Sequence, residues 1–106
     1  MTDKVVILST CTSRRQADEI ALSLVEKRLA ACVNVGPSIR STYRWQGKLE
    51  QKTEYLLLIK SRRDLFKPLR EELERIHSYD VPEVIALPVV EGSDAYLGWM
   101  DRELAE

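Results

Sequence analysis

The sequence predicts an α+β fold: a two-layer sandwich in βαββαβ order, with an extended hairpin between its second and third strands and an extra C-terminal helix. Three observations predict it. A period-two stretch from Ile39 to Lys60, IRSTYRWQGKLEQKTEYLLLIK, reads as one long β-hairpin. Apolar stripes at helical spacing, from Ala17 to Leu29 and from Leu65 to Ile76, lie on either side of it. Val5-Val6-Ile7-Leu8 and Tyr55-Leu56-Leu57-Leu58-Ile59 are apolar on both faces and fit central strands, whereas Pro37 and Pro88 cannot donate to a ladder and mark edge strands.

Val5–Leu8 forms the first strand. Ser13 caps the first helix, with Gln16 as the reciprocal half of a capping box. Cys32-Val33-Asn34-Val35 begins the second strand, which Gly36-Pro37 interrupts before the hairpin proper. Along the hairpin, Ile39, Ser41, Tyr43 and Trp45 share one face, and Arg40, Thr42, Arg44 and Gln46 the other. Gly47 supplies the positive φ of a short turn, so the chain reverses at Gln46-Gly47. Ser61 and Asp64 make a second capping-box pattern. Pro68 would then kink the second helix, unless regular helix begins only near Phe66. Val84–Val90 reads as the fourth strand, and Ser93 caps a last helix carrying Tyr96, Leu97, Trp99, Met100 and Leu104. The pattern is that of a ferredoxin-like split βαβ fold. Its strand order, 4-1-3-2, puts the apolar runs on the inner strands and the prolines on the outer ones. Residues 1–106 read as a single domain with one modest core.

The hairpin is long for such a domain. A strand from Lys48 to Lys60 spans roughly 44 Å, against a diameter of roughly 34 Å for a compact chain of this size. Either the tip bends back at a bulge, or Tyr43 and Trp45 overhang and a second subunit covers them.

Hydrophobic content of 44%, charged content of 31% and a net charge of −1 are those of an ordinary soluble domain. They give no reason to expect nucleic acid or a membrane as partner. No apolar run approaches the roughly 20 residues of a membrane span. Met1-Thr2-Asp3-Lys4 is too short a lead into strand to be a signal peptide, so cytoplasmic residence is expected, with Cys11 and Cys32 reduced rather than paired. Ser13-Arg14-Arg15 and Ser61-Arg62-Arg63 both open helices after a strand. Arginines there oppose the helix dipole, and either pair with Asp18 and Asp64 or capture an anion.

Candidates for chemistry are few. The glycines at 36, 47, 92 and 98 form no phosphate loop. A Cys–His nucleophilic pair lacks any local motif for an orienting group or an oxyanion pocket, so the chain does not read as an enzyme. His77 is the one histidine; with Cys32 it makes the best soft-ligand pair available, provided both lie at related ends of the sheet. Each has an ordinary structural reading as well, a buried small hydrophobe and a hydrogen-bonded histidine. The connection Glu74–Glu83, ERIHSYDVPE, either carries binding groups on a rigid scaffold or simply turns the chain.

Across nearly the whole chain, Cys32-Val33-Asn34, Ser41-x-Tyr43-x-Trp45-x-Gly47-Lys48, Glu54-x-x-Leu57-x-x-Lys60, His77-x-Tyr79-x-Val81-Pro82-Glu83 and Tyr96-x-x-Trp99 resemble the CutA family of divalent-cation tolerance proteins. Ser78 departs from the proline usual between the His and the Tyr. The resemblance implies a ferredoxin-like subunit in a non-enzymatic homotrimer, similar in plan to the P-II signalling proteins, with a role in tolerance of copper and other divalent metals. It implies no obligatory cofactor, with Cu(II) or another divalent metal as ligand and Cys32 and His77 as metal-ligand candidates. A further cysteine of some relatives falls at Ser9. Interface or cleft positions carried over are Trp45, Glu54, Lys60, Tyr79, Glu83 and Trp99, to which the overhang adds Tyr43. The alternative is a P-II-like signalling trimer holding a small anionic ligand in inter-subunit clefts.

Overall fold

The structure, a computed structural model, describes residues Met1–Glu106. Its elements are β1 (Lys4–Cys11), α1 (Arg14–Glu26), β2 (Cys32–Trp45), β3 (Lys48–Arg62), a 3-10 turn (Arg63–Leu65), α2 (Phe66–Ile76), β4 (Ile85–Pro88) and α3 (Asp94–Glu103). The strands form one antiparallel sheet in the order β2-β3-β1-β4, the predicted ferredoxin-like arrangement. The apolar runs occupy the two inner strands, and both prolines lie on the edges.

Local expectations fared unevenly. Gln46 and Gly47 both have positive φ, 50° and 83°, so the hairpin closes through a two-residue turn whose twist suits the strands. Gly36-Pro37 does not break β2. The strand runs through with a register shift between Val35 and Ser38, which an edge strand accommodates. Ser13 caps α1 by accepting from the Gln16 amide at 3.1 Å, but the Gln16 side chain turns away and accepts from Ser78 Oγ. Ser61 caps nothing. It lies fully buried in β3, and its hydroxyl donates to the Leu29 carbonyl at 2.6 Å. Because α2 starts at Phe66, Pro68 falls in its first turn, where a missing N–H costs no helical bond. The arginines find partners: Arg62 meets Asp64 at 2.8 Å, Arg15 meets Glu19 at 3.6 Å, and Arg14 lies over the Tyr55 ring.

Alternation divides the sheet into two unlike faces. On one, Val5, Ile7, Leu57 and Ile59 pack with Ala17, Ile20 and Leu24 of α1 and Leu69 and Leu73 of α2 into the main core. The other face carries Val6, Leu8, Leu56, Leu58, Ile85 and Leu87. At one end of it Lys4 and Arg62 both reach Asp101 of α3, at 3.1 and 3.3 Å, beside a small core of Ala31, Leu65, Met100 and Leu104. Elsewhere the cover is partial: Ile85 and Leu87 are 50% and 47% exposed, and Val6, Leu8, Leu56 and Leu58 are half-buried. The inner strands are thus apolar on both faces as expected, while the chain covers one fully and the other only in part. The molecule is elongated, 44 × 25 × 23 Å, and the tip residues Trp45 and Leu49 stay 45% and 70% exposed.

The two core helices are cross-tied by Glu72. Its Oε2 accepts from Ser23 Oγ and Lys27 Nζ of α1 and the adjacent turn, and from Arg75 within α2, all at 2.7–2.8 Å. The Arg75 bond first, then Lys27 and Ser23, hold this carboxyl far below its ordinary value. A depressed folded value means the stabilisation is complete above the unfolded value of 4.5 and is lost as pH falls below it. Glu72→Gln should therefore cost about 1 to 2 kcal/mol at neutral pH and flatten the acid limb of the stability curve. Urea denaturation of both proteins from pH 7 to pH 3 checks this.

Candidate functional site

Where β3 leaves the shelter of β1, one residue before the Cys11–Tyr55 pair, it carries Glu54. Its side chain points to the open face and is only 4% exposed. A carboxylate there must find a donor, and Tyr79 supplies one: its hydroxyl donates to Glu54 Oε2 at 2.6 Å. Burial first, and the Glu54 carboxylate second, push the Tyr79 phenol well above its ordinary value, so it remains a donor at any physiological pH.

His77 positions that tyrosine. It follows the last residue of α2 and is buried. Its Nε2 lies 2.8 Å from the Thr10 carbonyl, so Nε2 donates, and Nδ1 accepts the Tyr79 amide at 3.0 Å. The two rings pack at 4.7 Å, and Lys52 Nζ stands over the Tyr79 ring at 5.2 Å. The connection Ser78–Val84 thereby forms one wall of a cleft of about 570 Å³. The opposite wall is the hairpin, with Ser41, Tyr43 and Trp45 on the face that alternation assigned to them. Glu54 and Thr10 lie at the floor, and Asp80 and Glu83 at the rim.

The carried-over positions therefore separate. Tyr43, Trp45, Glu54, Tyr79 and Glu83 meet at the cleft. Lys60 and Trp99 do not. Lys60 donates to Asn34 Oδ1, and Trp99 packs on Tyr96 at 5.4 Å beside the α3 core. Cys32 belongs with them, paired in register with Lys60; burial, with Cys32 beside it, raises the Tyr96 phenol.

The expected Cys32–His77 pairing is corrected by this geometry. Lys60 faces Val6, whereas His77 binds Thr10, four residues further along β1, about 13 Å away. The two side chains lie toward opposite ends of the sheet, and both ring nitrogens of His77 are already engaged. No three His, Cys, Asp or Glu side chains converge as a metal site. A resident metal does not fit the donors of one chain. Cys11 and Cys32 are free thiols. Cys11 is sealed in the core, its thiol pushed up by burial, and Ser9 beside it in β1 holds a sealed hydroxyl with no partner.

Sequence reasoning missed Lys52 and Thr10. The alternation that grouped Ser41, Tyr43 and Trp45 also puts Lys52, the partner of Ser41, on the Glu54 face; carrying it across the turn would have found the lysine.

A family model described as CutA1 divalent ion tolerance protein matches residues 5–103. The chain belongs to the CutA1 family. The divalent-cation tolerance protein CutA of Thermus thermophilus is 47% identical over 95 residues, 90% of this chain and 92% of that protein. Chloroplastic CutA of Arabidopsis thaliana is 48% identical over 96 residues, 91% of this chain and 53% of its own length. The chain spans about half the length of that and other longer CutA proteins it matches. The crystal structure of CutA from Xylella fastidiosa superimposes with a TM-score of 0.95 at 41% identity, over 98% of this chain and 100% of that one. No helix of this CutA1 chain is long and apolar enough to cross a membrane.

Proposed function

We propose that this CutA1-family protein acts in the response to divalent metal ions as a cytoplasmic, non-enzymatic homotrimer whose subunits join through the open face of the sheet. One observation carries the assembly: an apolar sheet face, on the innermost strands, which the chain covers only in part. Leu56 and Leu58 on β3 and Ile85 and Leu87 on β4 continue the same patch to an unpaired edge strand. Water-exposed, it would favour aggregation; a closed ring of copies buries it. The number three rests on the family resemblance.

Direct Cu(II) binding enters this reading only at the level of the assembly. A site using both Cys32 and His77 has to draw them from different copies. Ligation at His77 Nδ1 would also strip the Tyr79 amide of its acceptor, at about 1 to 3 kcal/mol. The P-II-like alternative fares less well, because an anion entering the cleft meets Glu54, Asp80 and Glu83 against the single cation Lys52. The test is anaerobic Cu(II) titration of wild type, Cys32→Ser and His77→Ala at pH 7.5 and pH 5.5. Uptake is expected to fall in both variants and to be weaker at the lower pH, because metal binding displaces protons from its ligands. Unchanged stoichiometry in both variants would remove these two residues from the metal chemistry.

A further inference from the structure

Glu54 and Lys60 are two charges that one chain leaves unmatched. Glu54 is 4% exposed, and only its Oε2 meets a donor, the Tyr79 hydroxyl. Lys60 is half-buried, and its Nζ donates to the neutral amide oxygen of Asn34. Neither has an oppositely charged partner within 4 Å. Taking a charge out of water without a counter-charge is costly, so each calls for a partner. They cannot serve each other within one subunit. Both point to the open face of β3, but they stand six residues apart, about 20 Å along the strand.

The other cations of that face are engaged or solvated. Lys4 and Arg62 hold Asp101, with Asp3 and Asp64 beside them. Lys52 stands over the Tyr79 ring, and Lys48 is exposed at the hairpin tip. Glu54 lies at the hairpin end of the face, where Asp80 and Glu83 also form no ion pair. Lys60 lies toward the opposite end, paired in register with Val6 and Cys32. The face thus runs from an acidic end to an end with one spare lysine. Head-to-tail contact between identical subunits, the kind that closes a ring, lays the first end on the second. Contact of like ends would set Glu54, Asp80 and Glu83 against their own copies, which like-charge repulsion disfavours.

We infer that Lys60 of the next copy donates to Glu54 Oε1, so that each contact of the ring holds one Glu54–Lys60 pair and the cleft beside the hairpin is a composite of two subunits. This rests on assembly through the open sheet face and adds to it the ion pair that sets the direction of the contact.

A double-mutant cycle on assembly tests the pair. Dissociation constants are measured by scattering mass over a dilution series of wild type, Glu54→Gln, Lys60→Met and the double variant, with circular dichroism recorded for each. Glu54→Gln keeps an acceptor for Tyr79. Each single variant leaves the opposite charge unmatched in the contact and should weaken assembly at least about thirtyfold. The double variant leaves neither charge behind and should assemble no more weakly than the weaker single variant. The same cycle run with Lys48→Met should show no coupling to Glu54. If Glu54→Gln fails to fold, Lys60→Met against Lys60→Arg decides: assembly at least about tenfold tighter in Lys60→Arg supports the pair, and equal affinity overturns it. A wild type that scatters as a monomer overturns the assembly and the pair together. A wild type that assembles while the single effects are absent, or multiply in the double variant, overturns the pair alone, as does coupling of Glu54 to Lys48 in place of Lys60.

Discussion

A protein carrying Ile85→Asp and Leu87→Asp is expected to scatter as a 12.2 kDa monomer with the circular dichroism of the parent. Both side chains lie on the open face of β4 and are about half exposed in the single subunit. Losing them costs the isolated fold little, since exposed substitutions usually stay within about 0.5 kcal/mol. In an assembly the account is different. Covering each side chain contributes on the order of 1 kcal/mol or more, and an unpaired carboxylate in its place costs several more. With two positions altered in every subunit, the dissociation constant should rise by about a thousandfold or more. An assembly that persists in the double variant would put the contact surface elsewhere.

Tyr79→Phe has the second-largest expected effect. The phenol is the one donor to a nearly buried carboxylate, and the substitution removes that donor while keeping the ring. The orphaned charge should destabilise the fold by about 2 to 3 kcal/mol, or roughly 10 °C in Tm for a chain of this size. The double variant Tyr79→Phe/Glu54→Leu should recover much of that loss, because removing both partners leaves nothing unsatisfied. Thermal unfolding at one fixed protein concentration, which controls for mass action, checks both. Equal losses in the single and double variants would show that the Tyr79–Glu54 bond contributes little.

Strand order was legible because it rests on bulk features that tertiary packing cannot override. Five consecutive apolar residues from Tyr55 belong inside a sheet, and Pro37 and Pro88 belong at its edges. The turn was legible because Gly47 has a conformational reason to be there. Ser61 was not. Ser followed by Asp64 matches a capping box, yet β3 runs on to Arg62, and the hydroxyl serves the Leu29 carbonyl from across the fold. Local pattern lost to a long-range bond that no window of sequence contains.

The site was legible in part for the same reason. Family spacing pointed to Glu54, Tyr79, Trp45 and Glu83, and alternation placed Tyr43 with Trp45. That Glu54 accepts from Tyr79 follows from how the connection after α2 folds back over β3, which spacing does not encode. The Cys32–His77 proximity failed on register. Both residues sit at ends of elements, but only the pairing of Cys32 with Lys60 reveals which end of the sheet that is.

Assembly through the open sheet face is tested most directly by molar mass. Multi-angle light scattering on the purified protein at micromolar concentration should return about three times 12.2 kDa. A value of 12.2 kDa at that concentration would contradict the account, leaving the apolar face of β1, β3 and β4 exposed to water and the proposed homotrimer without support.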